Sequence, residues 1–173
     1  MKNLIGFFSG LLLLASCGEE IDCCVLPVNQ TFKFDTKANG CANFYVYKED
    51  LVNNLHLFVN GDRTKLDLDL TEKEFGVTAN SLQVQILQFE NEIGNYACDD
   101  VANDQGEIID TWKAISGQVM IQITEDSISV TPWEMTYKMT VKLKNIQLEN
   151  TQKELANLPE VFFEEVYVGW LPG

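Results

Sequence analysis

Met135, Tyr137, Met139, Val141 and Leu143 alternate with Thr136, Lys138, Thr140 and Lys142, and this strict period of two constrains the fold of the 173-residue chain more than any other feature. Successive side chains of an extended strand point to opposite faces, so the pattern predicts a strand with one apolar and one wet face. Leu82, Val84 and Ile86 repeat it, as do Val119, Ile121 and Ile123 after Gly117, and Leu66, Leu68 and Leu70. Beyond Leu143 the parity breaks, because Ile146 and Leu148 are apolar on the other count. One extra residue near Lys144-Asn145 restores the face, which predicts a β-bulge or bend. Further strands are predicted at Thr31–Asp35, Asn43–Tyr47, Leu55–Asn60, Ser127–Thr131 and Val161–Trp170.

The segments between the strands carry turn chemistry. Asn60-Gly61-Asp62 reads as a hairpin and Glu125-Asp126 as a tight connection between Ile123 and Ile128. Thr71-x-x-Glu74 and Thr151-x-x-Glu154 have the form of capping boxes. The first predicts a single helical turn. The second predicts a short crossover helix around Gln152–Leu158, stopped by Pro159. The longest loop is expected from Asn91 to Asp110. Together these features predict an all-β domain: an antiparallel β-sandwich, immunoglobulin-like in general architecture, with one short crossover helix. A lipocalin-like up-and-down barrel is the alternative, although the Gly-x-Trp near the first strand of such barrels is missing.

Acidic residues number 26 against 12 basic ones, a formal net charge of −14 that disfavours nucleic acid and anionic surfaces as partners. The amino terminus sets the address. Met1-Lys2-Asn3 is a short positive region, and Leu4 to Leu14 is apolar but too short for a resident spanning helix. Leu14-Ala15-Ser16-Cys17 follows, and this stretch resembles a bacterial lipobox. The resemblance, to the lipoprotein signal-peptide class, covers residues 1–17. It implies cleavage before Cys17 and acylation of that cysteine and its new amino terminus. Several acyl chains hold a protein at a membrane without a spanning helix. Gly18-Glu19-Glu20-Ile21-Asp22 resembles the acidic export tract of Bacteroidetes-type surface lipoproteins; a solvated linker is the alternative. The expected organisation is a signal peptide over 1–16, a lipidated cysteine and acidic tether over 17–30, and a single β domain over 31–173. The expected location is the outer membrane, facing outward.

Four cysteines remain, Cys23, Cys24, Cys41 and Cys98, and export to an oxidising compartment reads them as disulfides. Adjacent side chains of an extended segment point apart, so Cys23 and Cys24 are expected to be stapled to Cys41 and Cys98, in an order left open. Catalytic parts are scarce. His56 is the only histidine, expected as an exposed strand residue, and no phosphate loop or dinucleotide fingerprint is present. Asp99, Asp100, Asn103, Asp104, Glu107 and Asp110 supply oxygen ligands of the kind calcium uses, but their spacing departs from the EF-hand pattern, so a solvated loop is expected. Tyr45, Tyr47, Tyr96, Trp112, Trp133, Tyr167 and Trp170 divide between buried core and platforms for sugars. Asp126-Ser127-Ile128 matches a short O-glycosylation motif of Bacteroidetes-type secreted proteins, and Asn29-Gln30-Thr31 an N-glycosylation sequon that a bacterial lipoprotein would not use. No cofactor and no resident metal are expected. The sequence predicts a non-enzymatic envelope lipoprotein displaying its domain for protein or glycan binding. The alternatives are a small-ligand carrier and an envelope hydrolase using paired carboxylates.

Overall fold

The computed structural model describes residues 32–78, 81–94, 96–98, 106–131 and 134–169, with the backbone alone for 127–131 and 134–135. The described residues form nine strands: β1 (Asn39–Cys41), β2 (Tyr45–Asp50), β3 (Leu55–Gly61), β4 (Lys73–Gly76), β5 (Leu82–Phe89), β6 (Ile108–Thr131), β7 (Glu134–Glu149), β8 (Leu155–Leu158) and β9 (Val161–Val168). Among the described residues no helix forms. All strands belong to one antiparallel sheet, ordered β1-β2-β3-β5-β6-β7-β8, with β4 on β6 and β9 on β7. The sheet curls until β9 packs on β1 and β2, a nearly closed, barrel-like form. The fold is all-β, and the barrel alternative describes it better than a two-sheet sandwich. The reason lies in β6 and β7, whose lengths let one hairpin serve both ends of the wall. β6 pairs with β5 near its start and with β4 around Val119–Ile121; β7 pairs with β9 and then with β8.

The predicted bulge is present. Gln118 faces Lys144 and Ser116 faces Gln147, so β7 carries one residue more than β6 across this interval. Asn145 takes φ 52° and Gly117 φ 121°. Tyr137, Met139, Val141 and Leu143 are buried before the bulge, and Ile146 and Leu148 after it. A second bulge on β9 works the same way: Val141 faces Phe163 and Met139 faces Val166, while Glu165 takes φ 49°. The extra residue lets Val161, Phe163, Val166 and Val168 all point inward despite their broken alternation.

Several local expectations are corrected. The crossover helix at Gln152–Leu158 is a tight turn followed by β8. Asn150 Oδ1 accepts the N–H groups of Gln152 and Glu154, and Asn150 Nδ2 donates to Glu154 and Asp110. The carboxylate of Glu154 therefore serves the Asn150 amide, and Lys153 turns the chain at φ 68°. Thr71-x-x-Glu74 likewise leads into β4, with Asp69 accepting both the N–H and the hydroxyl of Thr71. Asn60-Gly61-Asp62 ends β3 but makes no hairpin, since β3 pairs with β5. The Leu66–Leu70 alternation is not a strand. It is a run of turns in which Leu66 and Leu68 reach the core while Leu70 stays exposed. Thr31–Asp35 is also not a strand where it is described, although Phe32 and Phe34 are buried. Glu125-Asp126 is not a reversal: β6 runs on to Thr131, which faces Glu134.

The interior is filled. Phe32 meets Trp112 edge-on at 5.5 Å, and Phe44, Phe163, Tyr137 and Met139 complete the centre. Burial of that many large side chains, at about 25 cal/mol per Å² of apolar surface, is the main stabilising contribution.

Candidate binding surface

Among the described residues, β9 at one end of the strand path and the stretch comprising residues 32–38 and β1 at the other meet without strand pairing and form a seam in the wall. Counted round the wall among the described residues, β1, β2, β3, β5, β6, β7 and β9 make seven strands, each antiparallel to the next. An odd number leaves the first and last strands parallel where they meet. At one end of this seam the two edges touch: the Gly169 N–H donates to the Ala42 carbonyl. Nearby, a Cβ on Gly40 would come within 2.7 Å of Val166 and 2.8 Å of Val168, so only glycine fits.

Toward the other end the edges part. They open a cleft of about 940 Å³ with Phe34 on one lip and Phe162 on the other. A second recess of about 470 Å³ continues it past Asn39, Tyr47 and Cys98. The first lip is held back on β2 by Thr36, whose hydroxyl donates to the Glu49 carbonyl and accepts the Glu49 N–H. Lys48 Nζ, on the inward face of β2, donates to the Phe34 carbonyl. Lys33, Lys37 and Lys48 make the first lip mainly cationic, while Glu160, Glu164 and Glu165 make the β9 lip mainly anionic. Two exposed aromatics flank β9. Lys138 Nζ lies 5.0 Å over the Tyr167 ring and Lys142 Nζ 4.3 Å over Phe162, so one face of each ring already carries an ammonium group.

His56 is not the exposed residue expected. It is fully buried, because residues 89–94 and 96–98 fold back over the outer face of β3 and form a second apolar cluster with it, of Phe58, Leu87, Phe89 and Ile93. Tyr45 hydroxyl lies 2.9 Å from His56 Nε2, and Glu49 Oε1 lies 3.4 Å from Nδ1. A proton on Nδ1 directed at Glu49 leaves Nε2 to accept the Tyr45 hydroxyl proton. Tyr96 packs edge-on against the imidazole at 5.2 Å. The order Tyr–His–Glu looks like a relay, yet burial, reinforced by Tyr96, Tyr47 and Glu49, pushes the Tyr45 phenol up, the wrong direction for a nucleophile. Tyr47 is raised too, by burial and then by Glu49. The arrangement suits a structural clasp. No alternation signal could have found it, since the covering segment comes from a distant loop.

Cys41 is bonded to Cys98, with Cα atoms 5.7 Å apart. This replaces the expected crossing of each with Cys23 or Cys24, which lie outside the described residues. The pairing follows from the fold: β1 and the returning loop meet over the outer face, where Tyr96 already docks. Cys17, Asn29, Asp99, Asp100, Asn103, Asp104, Trp133 and Trp170 also lie outside the described residues. Glu107 is exposed, and its carbonyl accepts the Glu90 N–H. Among the described residues no group of three or more His, Cys, Asp or Glu is placed to hold a metal ion. Ser127 lies within β6, in a stretch expected to be strand. Trp112 is core, Tyr45, Tyr47 and Tyr96 form the outer cluster, and Tyr167 stands at the seam. Asp126, expected in a turn, pairs with Arg63, whose guanidinium lies 4.5 Å over the Tyr137 ring. No protein-family model, curated protein or solved structure matches the chain.

Proposed function

We propose that the chain is a non-enzymatic lipoprotein of the bacterial cell envelope, anchored in the outer membrane through Cys17, whose β domain is displayed to bind a protein or glycan partner. One observation supports the binding role above others. The interior is packed with Phe32, Trp112 and Phe163, while the chemically varied concave surface lies outside, along the β9 seam. A carrier of small apolar ligands needs the opposite arrangement. The sealed position of His56 speaks in the same direction against nucleophilic catalysis.

Membrane fractionation with intact-mass analysis tests the anchor. The expected result is acyl mass on Cys17 and failure of Cys17→Ala to mature; a free amino terminus elsewhere without acyl mass would overturn it. Incubation with envelope glycans and peptides tests the rest. Turnover abolished by His56→Ala or by a carboxylate substitution would replace binding with hydrolysis.

A further inference from the structure

We infer that the open seam between residues 32–38 and β9 is a docking site for an extended segment of a protein partner, which enters as an eighth wall strand. The inference rests on the binding role proposed above and specifies its site and ligand class. Its basis is parity. The seven strands round the wall leave β9 and the 32–41 stretch running in the same direction, as the meeting of Ala42 with Gly169 at one end and the facing of Phe34 and Phe162 at the other show. One strand laid between them where they part, beside residues 32–35 and the first half of β9, runs antiparallel to both lips.

The lips are suited to such a strand. Among the described residues, β9 is paired with a strand along one edge only, and residues 32–35 belong to no strand. The Phe34 carbonyl is engaged by Lys48, so the other edge of β9 and the rest of 32–35 are placed to offer main-chain donors and acceptors. The floor is apolar, built from Phe32 and Val161, and the rims carry a net opposite charge, although Lys33 is paired with Asp35, Glu160 with Lys142 and Glu165 with Lys138. An occupant of alternating character fits, with apolar side chains turned to the floor and mixed charges turned out. A glycan fits less well. Sugars bind aromatic faces and gain nothing from free strand edges, and Tyr167 and Phe162 each already hold a lysine.

The test uses the full chain in mild detergent and a displayed library of linear peptides of roughly eight residues, enough for one strand. Enriched peptides are expected to alternate apolar and polar residues and to slow amide exchange at both 33–37 and 161–165. Methylating alternate peptide nitrogens should weaken binding roughly tenfold, as loss of about two main-chain hydrogen bonds would. The exposed-lip variant Lys33→Glu with Lys37→Glu should disfavour acidic peptides several-fold at low salt.

Protection in the free chain of the lip amides that face the seam, those of β9 not bonded to β7, would overturn the proposal, because the chain would then fill its own seam. Binding insensitive to nitrogen methylation, or exchange protection elsewhere on the domain, would overturn the seam and leave the binding role standing. Binding of a neutral glycan without lip protection would do the same. Absence of enriched peptides, together with absence of any glycan bound, would bring down both.

Discussion

Gly117 and Asn145 face each other at the point where the β6–β7 hairpin bends, and neither tolerates an ordinary residue. A Cβ on Gly117 would lie 2.7 Å from the Asn145 carbonyl oxygen and 2.6 Å from Ile146 Cδ1, at a φ of +121° that side chains rarely adopt. Gly117→Ala is therefore expected to destabilise by about 2–4 kcal/mol, combining backbone strain with overpacking. Asn145, at φ 52°, should accept glycine with little change, whereas Asn145→Val should cost about 1–2 kcal/mol. Denaturant unfolding of the three variants measures both, and equal tolerance of valine and glycine at 145 would contradict the bulge.

The Cys41–Cys98 bond closes a loop with a sequence separation of 57. Closing a loop of this length restricts the unfolded chain and typically contributes about 2–4 kcal/mol. Replacing both cysteines with alanine should lower stability by that amount and loosen the cover over His56, read as faster exchange of the Phe58 and Leu87 amides. Non-reducing peptide mapping should recover Cys41 joined to Cys98. A bond from either to Cys23 or Cys24 would be inconsistent with the fold.

The wall of the barrel was legible because its strands each have one apolar face. Leu82–Ile86, Val119–Ile123 and Tyr137–Leu143 announce their inward residues directly, and the parity break near Lys144-Asn145 marks the interval where the bulge lies. Leu66 and Leu68 show the limit of the same signal: they are buried as alternation suggested, but a run of turns carries them there. At Asn150 a side-chain amide satisfied the turn that Thr151 and Glu154 were read as capping, a choice decided by the distant Asp110. The seam and the His56 clasp were illegible for a different reason. Both are made by segments far apart in sequence, 32–41 against 161–169 and the stretch carrying Phe89, Ile93 and Tyr96 over β3, and no local pattern encodes which edges meet.

Tyr137 gives the fold an alkaline limit. Its hydroxyl donates to the Asn43 carbonyl, and burial, with Asp126 and Asp62 adding to it and Arg63 opposing, pushes its pKa from 10.0 up to about 12. The folded state thus holds this proton more tightly than the unfolded chain, and the stabilisation is complete below pH 10.0. It should be lost as pH rises through the interval up to about 12, with Tyr45 and Tyr47, also raised, steepening the decline. Tyr137→Phe should be less stable at neutral pH and show a shallower alkaline fall. Unfolding followed against pH, alongside phenolate absorbance, checks this; a slope unchanged in the variant would remove Tyr137 from the account.

His56 and Tyr45 make the sharpest test of whether the histidine is structural. With His56 fully buried, His56→Phe keeps an aromatic ring, a somewhat larger one, but strands the Tyr45 hydroxyl and withdraws the partner of Glu49. A buried hydroxyl left without a partner costs about 1–3 kcal/mol, whereas removing both partners of a hydrogen bond is close to neutral. The double variant Tyr45→Phe with His56→Phe should therefore be more stable than the sum of the two single losses predicts, by roughly 1 kcal/mol or more. Stacking against Phe58 at 5.2 Å and Tyr47 at 4.9 Å remains available to the new rings, so the outer cluster keeps its packing. Partner binding at the seam should be unchanged in the double variant, because neither side chain lines the cleft. Additive losses would mean the Tyr45–His56 contact contributes nothing, and loss of binding without loss of stability would give His56 a role beyond the clasp.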